Sequence, residues 1–179
     1  MSSSLCNIHP KAQIGKDVII ESFVTIAEDV IIGDGTWIGP NVVIMNGARI
    51  GKNCQLFPGA VIAGIPQDLK FNGEITTAEI GDNTSVREFC TVNRGTAARG
   101  KTIIGSNCLL QSYSHVAHDC HLKDHVILGS FAGLAGEVEA DDWAIISPYT
   151  AVHQFSKIGK HSFIAGGSLV RKDVPPYVL

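Results

Sequence analysis

At 179 residues, with 45% hydrophobic and 17% charged residues, the chain can form one compact domain with a real core and is too apolar for intrinsic disorder. A net charge of −3 gives no ground for a nucleic-acid partner, so an acidic partner would need a local basic patch. No apolar run approaches the ~20 residues of a membrane helix. The start, Met1-Ser2-Ser3-Ser4-Leu5-Cys6, lacks the basic and apolar regions of a signal peptide, so the expected location is the cytoplasm, with no membrane insertion.

From the amino terminus onward an aliphatic residue recurs every sixth position: Ile8, Ile14, Ile20, Ile26 and so on to Ile62. It resumes at Ile80, Val86 and Val92, then runs from Ile104 to Val170. Of the 28 positions in this series, 24 carry Ile, Leu or Val, and the exceptions are Asp68, Glu74, Ala98 and Ala140. Neither a helix of period 3.6 nor an alternating strand produces a period of six. A solenoid of short strands with a turn every six residues does, and three sides make a coil of eighteen. Glycine often follows the aliphatic, as at Gly15, Gly33, Gly51, Gly81, Gly105 and Gly159, where it permits close backbone approach or a positive φ. Four residues after the aliphatic the side chain is small or short, as at Val24, Ala60, Thr84 and Ala132.

This pattern resembles the hexapeptide-repeat family, which implies a left-handed parallel β-helix over residues 1–179. The hand comes from the resemblance, because right-handed crossovers are the general rule. The resemblance also implies a homotrimer with active sites between subunits. All five cysteines (Cys6, Cys54, Cys90, Cys108, Cys120) fall on the small position, which makes them buried packing residues. Simple eighteen-residue stepping stacks Cys90 on Cys108. The register is blank at Asp68 and Glu74 and again at Ala98, which places loops near 64–78 and 93–102. Loops that interrupt a rigid repeat are where function concentrates.

Histidines cluster at His115, His118, His121 and His125, with Asp119 following His118. Three readings are open. A metal site is one, although the gaps differ from the four-residue spacing of the histidine pair in the zinc-binding hexapeptide proteins of the γ-carbonic anhydrase type. Solvated surface residues are the second. The third is a general base with an orienting carboxylate. Gly136 lies eighteen residues after His118, one coil along, and its bare backbone N–H suits a developing oxyanion; Gln154 is eighteen further on.

The strings Gln67-Asp68-Leu69-Lys70, Arg94-Gly95-Thr96, His115-Val116-Ala117-His118-Asp119-Cys120, Ala151-Val152-His153-Gln154-Phe155 and Asp173-Val174-Pro175-Pro176-Tyr177 resemble the acyl-carrier-protein:UDP-N-acetylglucosamine O-acyltransferases. The resemblance implies transfer of a (3R)-hydroxyacyl chain from acyl carrier protein to the 3-hydroxyl of UDP-N-acetylglucosamine, the first step of lipid A synthesis. It implies His118 as base, Asp119 as its orienting partner and Gly136 as oxyanion donor. Asp68, Lys70, His115, Glu137, His153, Gln154 and Gly167 would meet the substrates, with Gly167 leaving room for a longer chain. No metal or cofactor is implied beyond the carrier-bound phosphopantetheine of the donor. The family usually has histidine where this chain has Glu137, and an anion beside an anionic substrate points to an amino-sugar acceptor as an alternative. The family also continues into a helical domain after the proline pair, whereas this sequence stops at Leu179. Another hexapeptide-repeat acyl- or acetyltransferase and an inactive trimeric scaffold remain as alternatives. Arg94, Arg99, Lys101, Lys123, Lys157, Lys160, Arg171 and Lys172 are candidates for a basic strip facing the acidic carrier.

Overall fold

A computed structural model describes residues 5–179; residues 1–4 lie outside it. The described chain winds as a three-sided parallel β-helix whose strands are mostly two residues long. Successive coils pair in parallel, giving one sheet of nine strands and two of eight. Face I runs from Asn7–Ile8 to Leu169–Val170, face II from Gln13–Ile14 to Lys157–Ile158, and face III from Ile19–Ile20 to Phe163–Ile164.

The sixth-position residue is the second of each two-residue strand and points to the axis. Ile38, Ile44, Leu56, Leu110, Leu128 and Ile146 are wholly buried. Each such side chain contributes about 1.5–3 kcal/mol relative to exposure. Ala140 breaks the aliphatic series but not the register: it is 1% exposed and pairs with Leu122 and Ile158. The interruptions at Asp68, Glu74 and Ala98 are true excursions between strands. They preserve the phase. Ile62 pairs with Val92, thirty residues on instead of eighteen, and Val92 pairs with Val116, twenty-four on. The excesses of twelve and six residues are whole repeats.

That shift corrects the cysteine stacking. Cys90 lies over Ser114, with Sγ 3.3 Å from its Oγ, because the second excursion separates it from the column holding Cys108. Nor is the cysteine position merely small. The thiols of Cys54, Cys90, Cys108 and Cys120 lie 3.0–3.2 Å from carbonyl oxygens of the next coil, those of Gly81, Gln111, Lys123 and Ala135. The hydroxyls of Thr36 and Thr84 donate to Gly51 and Gly105 in the same way, at 2.9 and 2.8 Å. The slot suits a small donor that satisfies a buried carbonyl. Burial pushes the Cys108 thiol up to about 11 and the Cys120 thiol up to about 12, so neither is a nucleophile at neutral pH.

The recurrent glycines work by close approach alone. A Cβ on Gly33 would fall 2.6 Å from the Gly51 carbonyl carbon, and one on Gly81 the same distance from that of Gly105. Positive φ falls two residues later, at Asn41, Asn53, Asn83 and Asn107, where asparagine tolerates it. Aromatic residues hold the same position in other coils. At the corner from face III to face I, Phe89, Tyr113, Phe131 and Tyr149 have φ of 56–63°. Their rings stack with centroids 4.9–5.1 Å apart. Backbone strain of about 1 kcal/mol per residue is offset by stacking of similar size.

Also at this corner, Arg87 forks onto Glu88 at 3.0 and 3.1 Å and the Ser112 hydroxyl donates to it at 2.7 Å. These bonds, that of Arg87 foremost, hold the Glu88 carboxyl down at about 2. A depressed carboxyl stabilises the fold above its unfolded value, and the contribution is lost as pH falls through the folded one. In urea denaturation, Glu88→Gln should cost at most about 1 kcal/mol at neutral pH, because solvent screens the half-exposed pair, and the difference should vanish towards pH 2. Gly33→Ala should cost about 1–3 kcal/mol by overpacking. Gly133→Ala, whose Cβ meets nothing within 4 Å, should change stability by less than about 0.5 kcal/mol. Thermal denaturation of the two alanine variants checks the contrast.

Candidate active site

Both excursions leave the helix at one corner, where face I turns into face II. The first joins Val61–Gly64 to Thr77–Ile80, and the second joins Thr91–Asn93 to Lys101–Ile104. In the next three coils the same corner carries His118, Gly136 and Gln154. No insertion separates them, so the eighteen-residue stepping holds, as the pairings His115 with Gly133 and Gly133 with Ala151 show. The histidine cluster is dispersed by the same geometry. His115 is on face I, His121 is on face II, and His125 lies at the next corner, stacked on Trp143.

His118 is held from one side. Its Nδ1 donates to Asp119 Oδ2 at 2.8 Å, and Asp119 is fully buried. The carboxylate also accepts from Thr96 N at 3.0 and 3.1 Å, Thr96 Oγ1 at 2.6 Å and Arg99 N at 3.2 Å, all in the second excursion. Asp119 has a φ of 60°, a conformation aspartate tolerates, and its own N–H donates to Thr102 Oγ1 at 2.8 Å. With Nδ1 bonded, His118 Nε2 is left facing a cleft of about 200 Å³ lined by Asp68, Lys70, Glu74, Thr96, His118 and Glu137. Asp68 Oδ2 is 4.0 Å from Nε2, and the side chain of Asp68 accepts from Lys70 N at 3.0 Å. The first excursion thus supplies one wall of the cleft and the second excursion the support beneath it.

Gly136 serves the histidine directly. A Cβ there would lie 2.6 Å from His118 Cε1 and 2.7 Å from Nε2, so any larger residue would displace the ring. Its N–H has a further property. At the corner from face II to face III the equivalent amides of Lys16, Lys52 and Ser106 donate to Asp34, Asp82 and Asp124 of the next coil at 2.7–2.8 Å. At the corner from face III to face I the position is proline in Pro40, Pro58 and Pro148. Among the described residues, the Gly136 amide has no protein acceptor. An unpaired donor beside a fixed imidazole can stabilise negative charge forming next to it.

Of the other expected residues, Glu137 lines the cleft but is not a free anion. Arg99 pairs with it at 3.5 Å and with Glu139 at 2.9 Å, so one guanidinium offsets part of the charge of two carboxylates. His115 Nδ1 meets Thr91 Oγ1 at 2.7 Å; burial pushes its imidazole below the ordinary value, and His118 adds to the effect. His153 and Gln154 are exposed one coil beyond Gly136, with His153 Nδ1 3.1 Å from the Gln154 carbonyl. Gly167 is not brought to this corner: it lies between faces III and I, with φ of 71°. The basic strip is largely compensated. Lys101, Lys123, Lys157 and Lys160 pair with Glu79, Asp141, Glu139 and Asp142 at 2.8–3.9 Å. Thr96 and Arg99 are the supporting residues to which the sequence assigned no place in the site, because they lie where the repeat is silent.

The description "Bacterial transferase hexapeptide (six repeats)" fits residues 29–64 and 101–136. A UDP-N-acetylglucosamine acyltransferase structure from Bacteroides fragilis superposes with a TM-score of 0.98 at 51% identity, covering 99% of this chain and 70% of that one. The chain belongs to the UDP-N-acetylglucosamine acyltransferase family. Its solenoid is the left-handed parallel β-helix of that family. The enzyme of that name from Francisella novicida superposes at 0.97 with 42% identity, covering 99% of this chain and 65% of that one. An acyl-[acyl-carrier-protein]–UDP-N-acetylglucosamine O-acyltransferase from Xylella fastidiosa is 48% identical over 121 residues, which are 67% of this chain. The match spans 46% of that relative's length, about half.

The donors around Asp119 make a direct prediction about stability. In Asp119→Asn one acceptor oxygen becomes an NH₂ facing backbone or hydroxyl donors, which should cost about 1–3 kcal/mol, measured by chemical denaturation.

Proposed function

We propose that this chain transfers a (3R)-hydroxyacyl group from acyl carrier protein to the 3-hydroxyl of UDP-N-acetylglucosamine, the opening step of lipid A biosynthesis. The single observation that supports it most is a His118 ring fixed by Asp119 through Nδ1, with Nε2 open to a cleft beside the unpaired Gly136 amide. In this reading His118 Nε2 takes the hydroxyl proton as the sugar oxygen attacks the thioester carbonyl. The Gly136 N–H donates to the tetrahedral oxyanion. Collapse breaks the C–S bond, and the imidazolium returns its proton to the departing thiolate. The products are an ester and free carrier thiol, with no covalent acyl-enzyme, no metal, and no cofactor beyond the donor's phosphopantetheine.

In this reading Asp68, Lys70, His115, Glu137, His153 and Gln154 meet the sugar nucleotide or the acyl group. A cleft of about 200 Å³ is small for such a substrate, since ligand pockets run to roughly 300–1,000 Å³. A second copy of the chain supplies the missing wall in a homotrimer, and Gly167 acts from that copy on the acyl chain. No helix of the described residues is long and apolar enough to cross a membrane, which fits an enzyme working in the cytoplasm on carrier-bound and nucleotide-bound substrates.

Mass spectrometry of the purified protein with (3R)-hydroxyacyl carrier protein and UDP-N-acetylglucosamine should detect the 3-O-acyl product. His118→Ala should lower the rate by about 10²–10⁴-fold, the usual worth of a general base. A parent protein that makes no product, or a variant as fast as the parent, overturns the proposal.

A further inference from the structure

We infer that Thr96 is a positioning residue for the base, acting through Asp119 from the second excursion. The inference rests on His118 being the base, and it assigns the excursion from Arg94 to Gly100 a task of its own. Asp119 is fully buried, yet no lysine or arginine side chain pairs with its carboxylate; the guanidinium of Arg99 goes to Glu137 and Glu139 instead. Its charge is met by hydrogen bonds alone, and Thr96 supplies two of the donors, its amide and its hydroxyl. Backbone N–H donors cannot turn away, so they define the plane of the carboxylate. The hydroxyl then selects the oxygen: Thr96 Oγ1 at 2.6 Å and His118 Nδ1 at 2.8 Å share Oδ2.

The direction of the hydroxyl is fixed as well. Ala98 N–H donates to Thr96 Oγ1 at 3.2 Å, so the threonine proton is directed at Asp119. The consequence is a relay with one polarity: Ala98 N–H to Thr96 hydroxyl to Asp119 Oδ2, which accepts from His118 Nδ1–H in turn. With Oδ2 locked in place as an acceptor, His118 is confined to the tautomer whose Nε2 lone pair faces the cleft. Without the hydroxyl, the amides of Thr96 and Arg99 still hold the carboxylate, but Oδ2 keeps only the longer bond from Thr96 N, at 3.1 Å, to fix it against the imidazole. Thr96 lines the cleft but is only 6% exposed, and its hydroxyl is committed to Asp119, so its action is through Asp119.

The test compares Thr96→Val, which keeps the shape and amide but removes the hydroxyl, with Thr96→Ser, which restores it. In the valine variant kcat should fall about tenfold, within the span of lost acid–base efficiency, while KM for the nucleotide sugar stays within about twofold, as for an interaction felt in the transition state. Nitrogen-15 NMR of the His118 ring should show the single Nδ1–H tautomer in the parent and in Thr96→Ser, and a mixture in Thr96→Val. A valine variant with the parent's tautomer and kcat overturns the inference, as does a serine variant that restores neither. If the valine variant does not fold, the parent alone decides. Its Thr96 hydroxyl proton should appear as a slowly exchanging resonance correlated with His118, and absence of that signal overturns the inference. A His118→Ala variant as active as the parent would instead sink the underlying role of the base, so the two failures are distinguishable.

Discussion

Parallel hydrogen bonding between successive coils keeps each residue above its counterpart in the coil below, and every other property of the molecule answers to that alignment. Once Gly33 N–H reaches the Ile32-to-Ile50 column at 2.8 Å, the next coil is too near for a side chain on Gly33. Most corners also turn through a residue with left-handed backbone. The same closeness makes the fourth position after the aliphatic a tight slot in which a thiol or hydroxyl, where present, serves a carbonyl of the next coil. The aliphatic core stabilises the stack, but the spacing between coils decides which residue types the corners accept.

The site arises where this regularity is suspended at one corner. At several other turns the amide two residues past the core position is satisfied by an aspartate, as at Lys16 and Ser106, or replaced by proline, as at Pro40 and Pro58. At the corner bearing His118 it is left open, and both excursions emerge over it. A rigid scaffold and two loops therefore divide the work. The helix sets His118 against Gly136 with rigidity that loops lack, and the loops add the carboxylates, the lysine and the buried donors that a hexapeptide has no room to carry.

The architecture was legible because a period of six is incompatible with other secondary structures, and it located the faces, the core and both interruptions. It located His118, Gly136 and Gln154 on one corner for the same reason, since no insertion divides them. It failed for Cys90, where stepping by eighteen crossed an excursion, and for the recurrent glycines it left open the choice between close approach, which the structure shows, and positive φ, which falls two residues later. Arg99 and Thr96 were beyond it because a segment without repeat carries no spatial register. Only the folded loop shows that Arg99 pairs with Glu137 and that Thr96 reaches Asp119, twenty-three residues away. The aromatic ladders were also hidden, because exposed Phe, Tyr and Trp at positive φ look unfavourable one residue at a time.

The two excursions lengthen their coils by two repeats and by one, and never by a fraction. A solenoid of this kind has a frame, much as a coding sequence does. Extra segments of six or twelve residues re-enter with the aliphatics still aimed at the axis, so they are inherited as ornaments on an intact shaft. An extra four or five would turn every later coil, sending Leu122, Leu128 and Leu134 towards solvent and charged neighbours inward. The spectrum of insertions that such a protein can survive is therefore discrete, and new chemistry enters its corners in whole multiples of the repeat.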